Sequence, residues 1–183
     1  GSEMCIRDRP VGAHFLRISS SARVDGMGDA YTGVGLDCLD GHPGGLALLR
    51  GRELQVGYIL QFSELNIGTF RWGMRIGEKF TYALSVLYLD TGEIEGYDNS
   101  AQLIGTFQGQ DLCVGLSLGL RPRRGMGLGT TLKWVQERIA GDDASGFACD
   151  CGIWTRLNPR MSLSLSVQNL GGKLKFIDEG YSL

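Results

Sequence analysis

The sequence predicts an all-β protein: an antiparallel transmembrane β-barrel, with about seven to nine of its strands present, preceded by an irregular, partly helical plug-like segment. Three observations predict it. Apolar residues recur with a period of two along most of the chain. The alternating runs are about 10 to 14 residues long, whereas soluble strands average about 5 to 6 and a tilted transmembrane strand needs about 9 to 11. Glycine supplies 29 of 183 residues, about 16% against about 7% in an average protein, and it sits inside the apolar runs. A helical fold would lose about 1 kcal/mol at each such glycine.

Residues 1–9 fit nothing that follows. Ser2 to Arg9 looks like a translated sequencing-adapter peptide, and it lacks the apolar stretch of a signal peptide. Residues 10–51 mix short helical stretches and turns and are expected to pack inside or beside the barrel. From residue 52 to residue 183 the alternation takes over. Leu54, Val56, Tyr58, Leu60 and Phe62 open it. Phe70–Ile76, Phe80–Tyr88, Leu112–Leu120, Met126–Trp134, Phe147–Ile153 and Met161–Val167 continue it. The alternate positions are mostly Gly, Ala, Ser and Thr with occasional charges, which suits a barrel interior better than the solvated face of a sandwich.

The connections near 77–78, 121–125 and 158–159 read as short, whereas Thr91–Gly105, Ala140–Ser145 and the stretch from Gly171 read as longer, acidic loops. Outer-membrane barrels pair short periplasmic turns with longer external loops in this way. Tyr58, Tyr82, Tyr88 and Trp134 are placed either as an interfacial girdle or simply as good strand formers.

Bulk properties exclude several classes. A net charge of -2 offers no basic field for nucleic acid. A mean hydropathy of -0.04 is what an alternating strand gives even when one face is wholly apolar. No run is apolar and long enough for a transmembrane helix. The five cysteines form no disulfide framework. Cys149 and Cys151 are spaced too closely for a structural zinc pair and read as small apolar residues of one strand.

Catalytic constellations, cofactor sites and metal sites are not expected. Gly125-Met126-Gly127-Leu128-Gly129 has the glycines of a dinucleotide loop but lies within a strand rather than at a strand–helix turn. Asp90, Glu93, Glu95 and Asp98 lack the ligand spacing of a calcium loop. The residues singled out are charges on the inward parity: Arg71, Arg75, Lys133, Glu137, Asp150 and Arg156. They are expected to form a structural charge network in the lumen, or to line a substrate path. A turn centred near Gly141-Asp142 would put Lys133 opposite Asp150.

The opening block resembles the start of the PorV/PorQ family, which groups with FadL-like outer-membrane transport proteins. The resemblance rests on Gly12–Ile18, Ala22-Arg23, Gly26–Thr32, and then His42-Pro43-Gly44-Gly45-Leu46-Ala47. Tyr88–Gly96 is similar to the family's long hairpin, and Ser145–Phe147 and Val167–Gly171 are similar to later family segments. His42 and Gly44 depart from the family's Asn-Pro-Ala-Gly-Leu-Ala corner. Family members continue with further strands, so the resemblance implies that Leu183 lies mid-protein, while the adapter-like residues 1–9 imply that the native start, including any signal peptide, is missing. It also implies location in the bacterial outer membrane, contact with its lipid, and transport or type IX-like secretion with a cargo protein as partner. Uptake of hydrophobic small molecules, a barrel with a purely structural or adhesive role, and a soluble β-sandwich binding module stand as alternatives.

Overall fold

The computed structural model describes residues 13–18, 20–28, 31, 33–60, 65–97, 102–139, 142–171, 173–176 and 179–182. Residues 1–9 lie outside them, as do parts of the resembling opening block. Seven strands form one antiparallel sheet in chain order: β1 (Arg52–Leu60), β2 (Asn66–Ile76), β3 (Phe80–Tyr97), β4 (Leu103–Arg123), β5 (Met126–Ile139), β6 (Asp142–Asn158) and β7 (Met161–Gly171). The sheet is open, and β1 and β7 are its edges. A separate hairpin, β8 (Lys173–Phe176) with β9 (Glu179–Ser182), packs near β6.

Two of the expected loops are strands. Thr91–Tyr97 continues β3 and Leu103–Gly105 begins β4, so this stretch is a long hairpin. β6 starts at Asp142, which leaves only residues 140–141 between β5 and β6. The stretch after Gly171 is in part the β8–β9 hairpin. The ladder outlasts the apolar alternation here, because backbone pairing continues where both faces are polar.

Register sorts the side chains into rows. Leu54, Trp72, Leu84, Leu116, Leu132, Cys149 and Leu170 are successive partners across all seven strands. Ile76, Phe80, Leu120, Leu128, Ile153 and Leu165 form a second such row, and Val56, Phe70, Val86, Val114, Trp134 and Phe147 a third. These rows share one face, and nothing among the described residues covers it: Leu116 is 62% exposed, Leu132 54% and Phe147 62%.

The opposite face is covered by the N-terminal segment. That segment consists of the 3-10 helices η1 (His14–Arg17), η2 (Leu36–Asp40) and η3 (Pro43–Leu48) and one turn of α-helix, α1 (Ala22–Asp25). Two apolar clusters join segment and sheet. Ala13 and Phe15 pack with Ile67, Leu89, Cys113, Val135 and Ala144, and Leu36, Cys38, Leu39 and Leu46 pack with Ala83.

Between the clusters η3 lies with its backbone directly on β4, β5 and β6. Gly119, Gly127, Gly129 and Gly152 form the floor beneath it. A Cβ at Gly119 would sit 2.7 Å from the Ala47 nitrogen, and one at Gly129 would overlap the Pro43 carbonyl. The strand glycines thus create a surface on which another backbone can rest. Replacing Gly129 with Leu is expected to lift η3 and to cost at least the 1–3 kcal/mol typical of overpacking. Gly68→Ala, with open space around its Cβ, is the neutral control. Chemical unfolding of the refolded chain in detergent, combined with limited proteolysis of the N-terminal segment, checks both.

Candidate functional site

The best-developed polar site lies between the N-terminal segment and the inner face of β2. Asp37 and Asp40 are three residues apart in η2, and in a 3-10 helix such side chains eclipse. Both carboxylates are therefore presented to the same strand, where Arg71 meets them.

Arg71 is only 3% exposed. Its guanidinium pairs with Asp40, donates to Ser20 Oγ and to Gln55 Oε1 (3.0 Å), and lies 3.8 Å from Asp37 Oδ1. Asp37 also accepts from Ser21 Oγ at 2.7 Å and Gln55 Nε2 at 2.5 Å, and pairs with Arg23 at 3.1 Å. Asp40 accepts from the Ser20 N–H and hydroxyl, each at 3.3 Å. Burial raises both carboxyl pKa values. At Asp37 the hydrogen bonds from Gln55 and Ser21, with the charges of Arg23 and Arg71, outweigh burial and hold it below the ordinary carboxylate value. At Asp40 burial prevails over Arg71, and the carboxyl stays above its ordinary value.

A second ion pair occupies the same inner face. Lys133 Nζ lies 2.6 Å from Asp150 Oδ2, and Asp150 is 1% exposed. The two are not directly opposite. Lys133 faces Ala148 and Asp150 faces Thr131, because Ile139 pairs with Asp142, a register that differs from the one a turn centred near Gly141-Asp142 would set. The lysine spans the diagonal with its long side chain. Asn169 completes the group: its N–H donates to Asp150 Oδ1 at 2.7 Å, and its Oδ1 accepts from Lys133 at 3.2 Å. Asn169 has φ 53° in a bulge of β7, a left-handed conformation that asparagine tolerates well.

Arg71 and Lys133 stand in one inner row, Gln55–Arg71–Ser85–Gly115–Lys133–Ala148. The small Ser85 and Gly115 leave room between them. A cavity of about 50 Å³ lies there, bounded by Arg71, Ser85, Leu87, Cys113 and Lys133 on the sheet side and by Leu16, Ile18, Ser20, Leu39 and Asp40 on the segment side.

The other inward-parity charges join neither group. Arg75 turns to the carbonyls of Gly77 and Glu78, and Arg156 stacks over Trp154 at 5.8 Å. Glu137 is buried opposite Asp111 near the far end of β5. The six expected network residues thus divide: Arg71 belongs to a clasp with the N-terminal segment, Lys133 and Asp150 form an ion pair, and the others sit towards the strand ends.

His42, Pro43, Gly44 and Gly45 are all buried where η3 meets the sheet. Among the described residues neither His42 ring nitrogen has a hydrogen-bond partner, and burial, against the backbone of Tyr31 and of His42 itself, holds its pKa below the ordinary histidine value. The Gly41 carbonyl beside it accepts from Ser166 Oγ at 2.8 Å and from Gln168 Nε2, which ties this corner to β7.

Gly127 and Gly129 of the dinucleotide-like stretch lie inside β5, in the floor under η3. In the acidic stretch Asp98 is outside the described residues, and among the described residues no group of three metal-ligating side chains comes together. Burial pushes the Cys38 thiol well above its ordinary value, so it is an inert apolar residue at neutral pH. Cys149 and Cys151 face outward in the apolar rows.

Neither family models nor curated proteins give a match to this sequence. Both buried cations are neutralised by carboxylates held in place by further hydrogen bonds, which makes the arrangement a device for fastening the segment to the sheet. Arg71→Met would leave two buried carboxylates without their cation, and a loss of about 3–5 kcal/mol is expected. Combining it with Asp37→Asn and Asp40→Asn removes the stranded charges and is expected to restore much of that loss. Unfolding midpoints of the single and triple variants in detergent check this.

Proposed function

We propose that this sheet belongs to an outer-membrane β-barrel of the PorV/PorQ type, acting in transport or in cargo-binding protein secretion, with the N-terminal segment as its internal plug. The observation that supports the reading most directly is the inversion of the sheet. Its apolar face lies open across all seven strands, while its polar and glycine-rich face is covered. Water would oppose that arrangement and a bilayer would favour it.

Dimensions agree. On β3 the apolar rows run from Phe80 to Tyr88. Eight steps of about 3.4 Å, tilted by about 40°, cover about 21 Å, close to the roughly 25 Å band of an outer-membrane barrel. Tyr58 and Tyr88 share one row at the upper edge of this band, and their hydroxyls reach Asn66 and Asp90. Tyr82 lies towards the other edge, while Trp134 stands inside an apolar row and is better read as part of the lipid-facing surface.

The edges of β1 and β7 are open in this sheet, and a closed barrel would have to pair both, since lipid tolerates no unpaired strand edge. A soluble sandwich would need a second sheet over the apolar face. The cavity of about 50 Å³ between Arg71 and Lys133 is of a size for ordered water and does not by itself favour the alternative in which a hydrophobic small molecule is taken up.

Leu116→Arg and Leu132→Arg test the membrane reading, because both lie in the middle row of the exposed face. Each is expected to cost about 2–4 kcal/mol of stability in lipid vesicles, measured by denaturant unfolding. Unchanged stability in vesicles would place that face in water instead.

A further inference from the structure

The charges of the strands are segregated by end. At the end with the short turns, Arg52, Lys79, Arg123, Arg124, Arg156 and Arg160 are all exposed. The acidic residues in the strands and turns at that end are Glu53 and Glu78. None of the six cations forms an ion pair with a described residue, although the chain as a whole carries a net charge of -2. At the opposite end Asp90, Asp111, Glu137 and Asp143 accompany Arg138, which is already paired with Asp143 at 2.6 Å.

The basic end is a continuous rim. Backbone hydrogen bonds link its neighbouring strands and turns, from Arg75 N–H to Gly51 O, from Arg121 N–H to Lys79 O, and from Arg156 N–H to Gly125 O. It also adjoins the apolar face without a gap. Arg52 begins the outward series that continues with Leu54, and Arg123 pairs with Met126 below Leu128. Exposed Ile76, Phe80, Leu157 and Met161 lie beside the cations.

We propose that this rim is a binding surface for the headgroups of anionic phospholipids in the leaflet that borders the short turns. The inference rests on the membrane reading above and adds the lipid class. Unpaired cations immediately next to a lipid-facing apolar band provide for both parts of such a lipid, phosphate on the rim and acyl chains on the rows. An acidic protein segment would be matched by the cations but not by the adjoining apolar residues.

The test uses tryptophan emission from the chain refolded into phosphatidylcholine vesicles containing brominated phosphatidylcholine or brominated phosphatidylglycerol at equal mole fraction. Stronger quenching by the glycerol lipid is expected, with the excess falling as salt is raised. The variant R123Q/R124Q/R160Q changes only exposed side chains. It is expected to insert normally and to lose the preference by about tenfold or more. Equal quenching by the two lipids, or an excess that persists in the variant, would overturn the proposal and leave the membrane reading standing. Binding of polyglutamate without any lipid preference would overturn it in favour of an acidic protein partner. Absence of quenching by either lipid would instead be failure of the membrane reading itself.

Discussion

Strand geometry imposes the constraint from which the other features follow. Successive side chains of a strand point to opposite faces, so a ladder of seven strands in constant parity must have two faces of fixed character. In this chain one face carries the rows of exposed large apolar residues, and the other carries most of the glycines, hydroxyls and buried charges together with a smaller apolar cluster around Ile67, Leu89 and Val135. The apolar face has no partner among the described residues. The polar face has one, and the N-terminal segment must therefore solve the problem of covering buried cations and exposed strand backbone at once.

The solution has three parts. Glycines on β4, β5 and β6 let η3 approach until backbone rests on backbone. The 3-10 geometry of η2 aims two carboxylates at Arg71 from one side, with Ser20, Ser21 and Gln55 taking up remaining hydrogen-bonding capacity. Asp150 does the corresponding work within the sheet, where it holds Lys133 and the N–H of Asn169 together and so fixes the bulge of β7. A buried charge with several directed partners gives little net stability, but it is costly to leave incomplete. Such contacts specify where the segment sits more than how strongly it is held.

Much of the sheet was legible because a period of two cannot be satisfied by a helix. Met161–Val167 shows this most cleanly, with aliphatic residues on one side and serines on the other. The alternation stops being informative at Thr91–Tyr97 and Asp142–Ser145, where polar residues dominate both faces and composition alone suggests loop, although the resemblance of Tyr88–Gly96 to a long hairpin points to strand. Parity alone put Arg71, Lys133 and Asp150 on the inner face. It did not give their partners, because the Lys133–Asp150 diagonal depends on where a two-residue connection centres. The Arg71 clasp joins residues 31 positions apart and draws on 3-10 turns that have no periodicity. The only local sign of it was the Asp37-x-x-Asp40 spacing. The glycines argued against helix from the start, but their role as a floor for η3 emerges only with the register.

The central claim is that the apolar face of this sheet meets lipid. The most direct measurement is gel migration of the full-length protein refolded in detergent, with and without boiling, alongside circular dichroism with and without detergent. A membrane barrel is expected to show heat-dependent migration and to acquire its β-sheet signal only when detergent or lipid is present. Cooperative folding in plain buffer, with the same migration before and after boiling, would contradict the account and turn the apolar rows into the core of a soluble assembly.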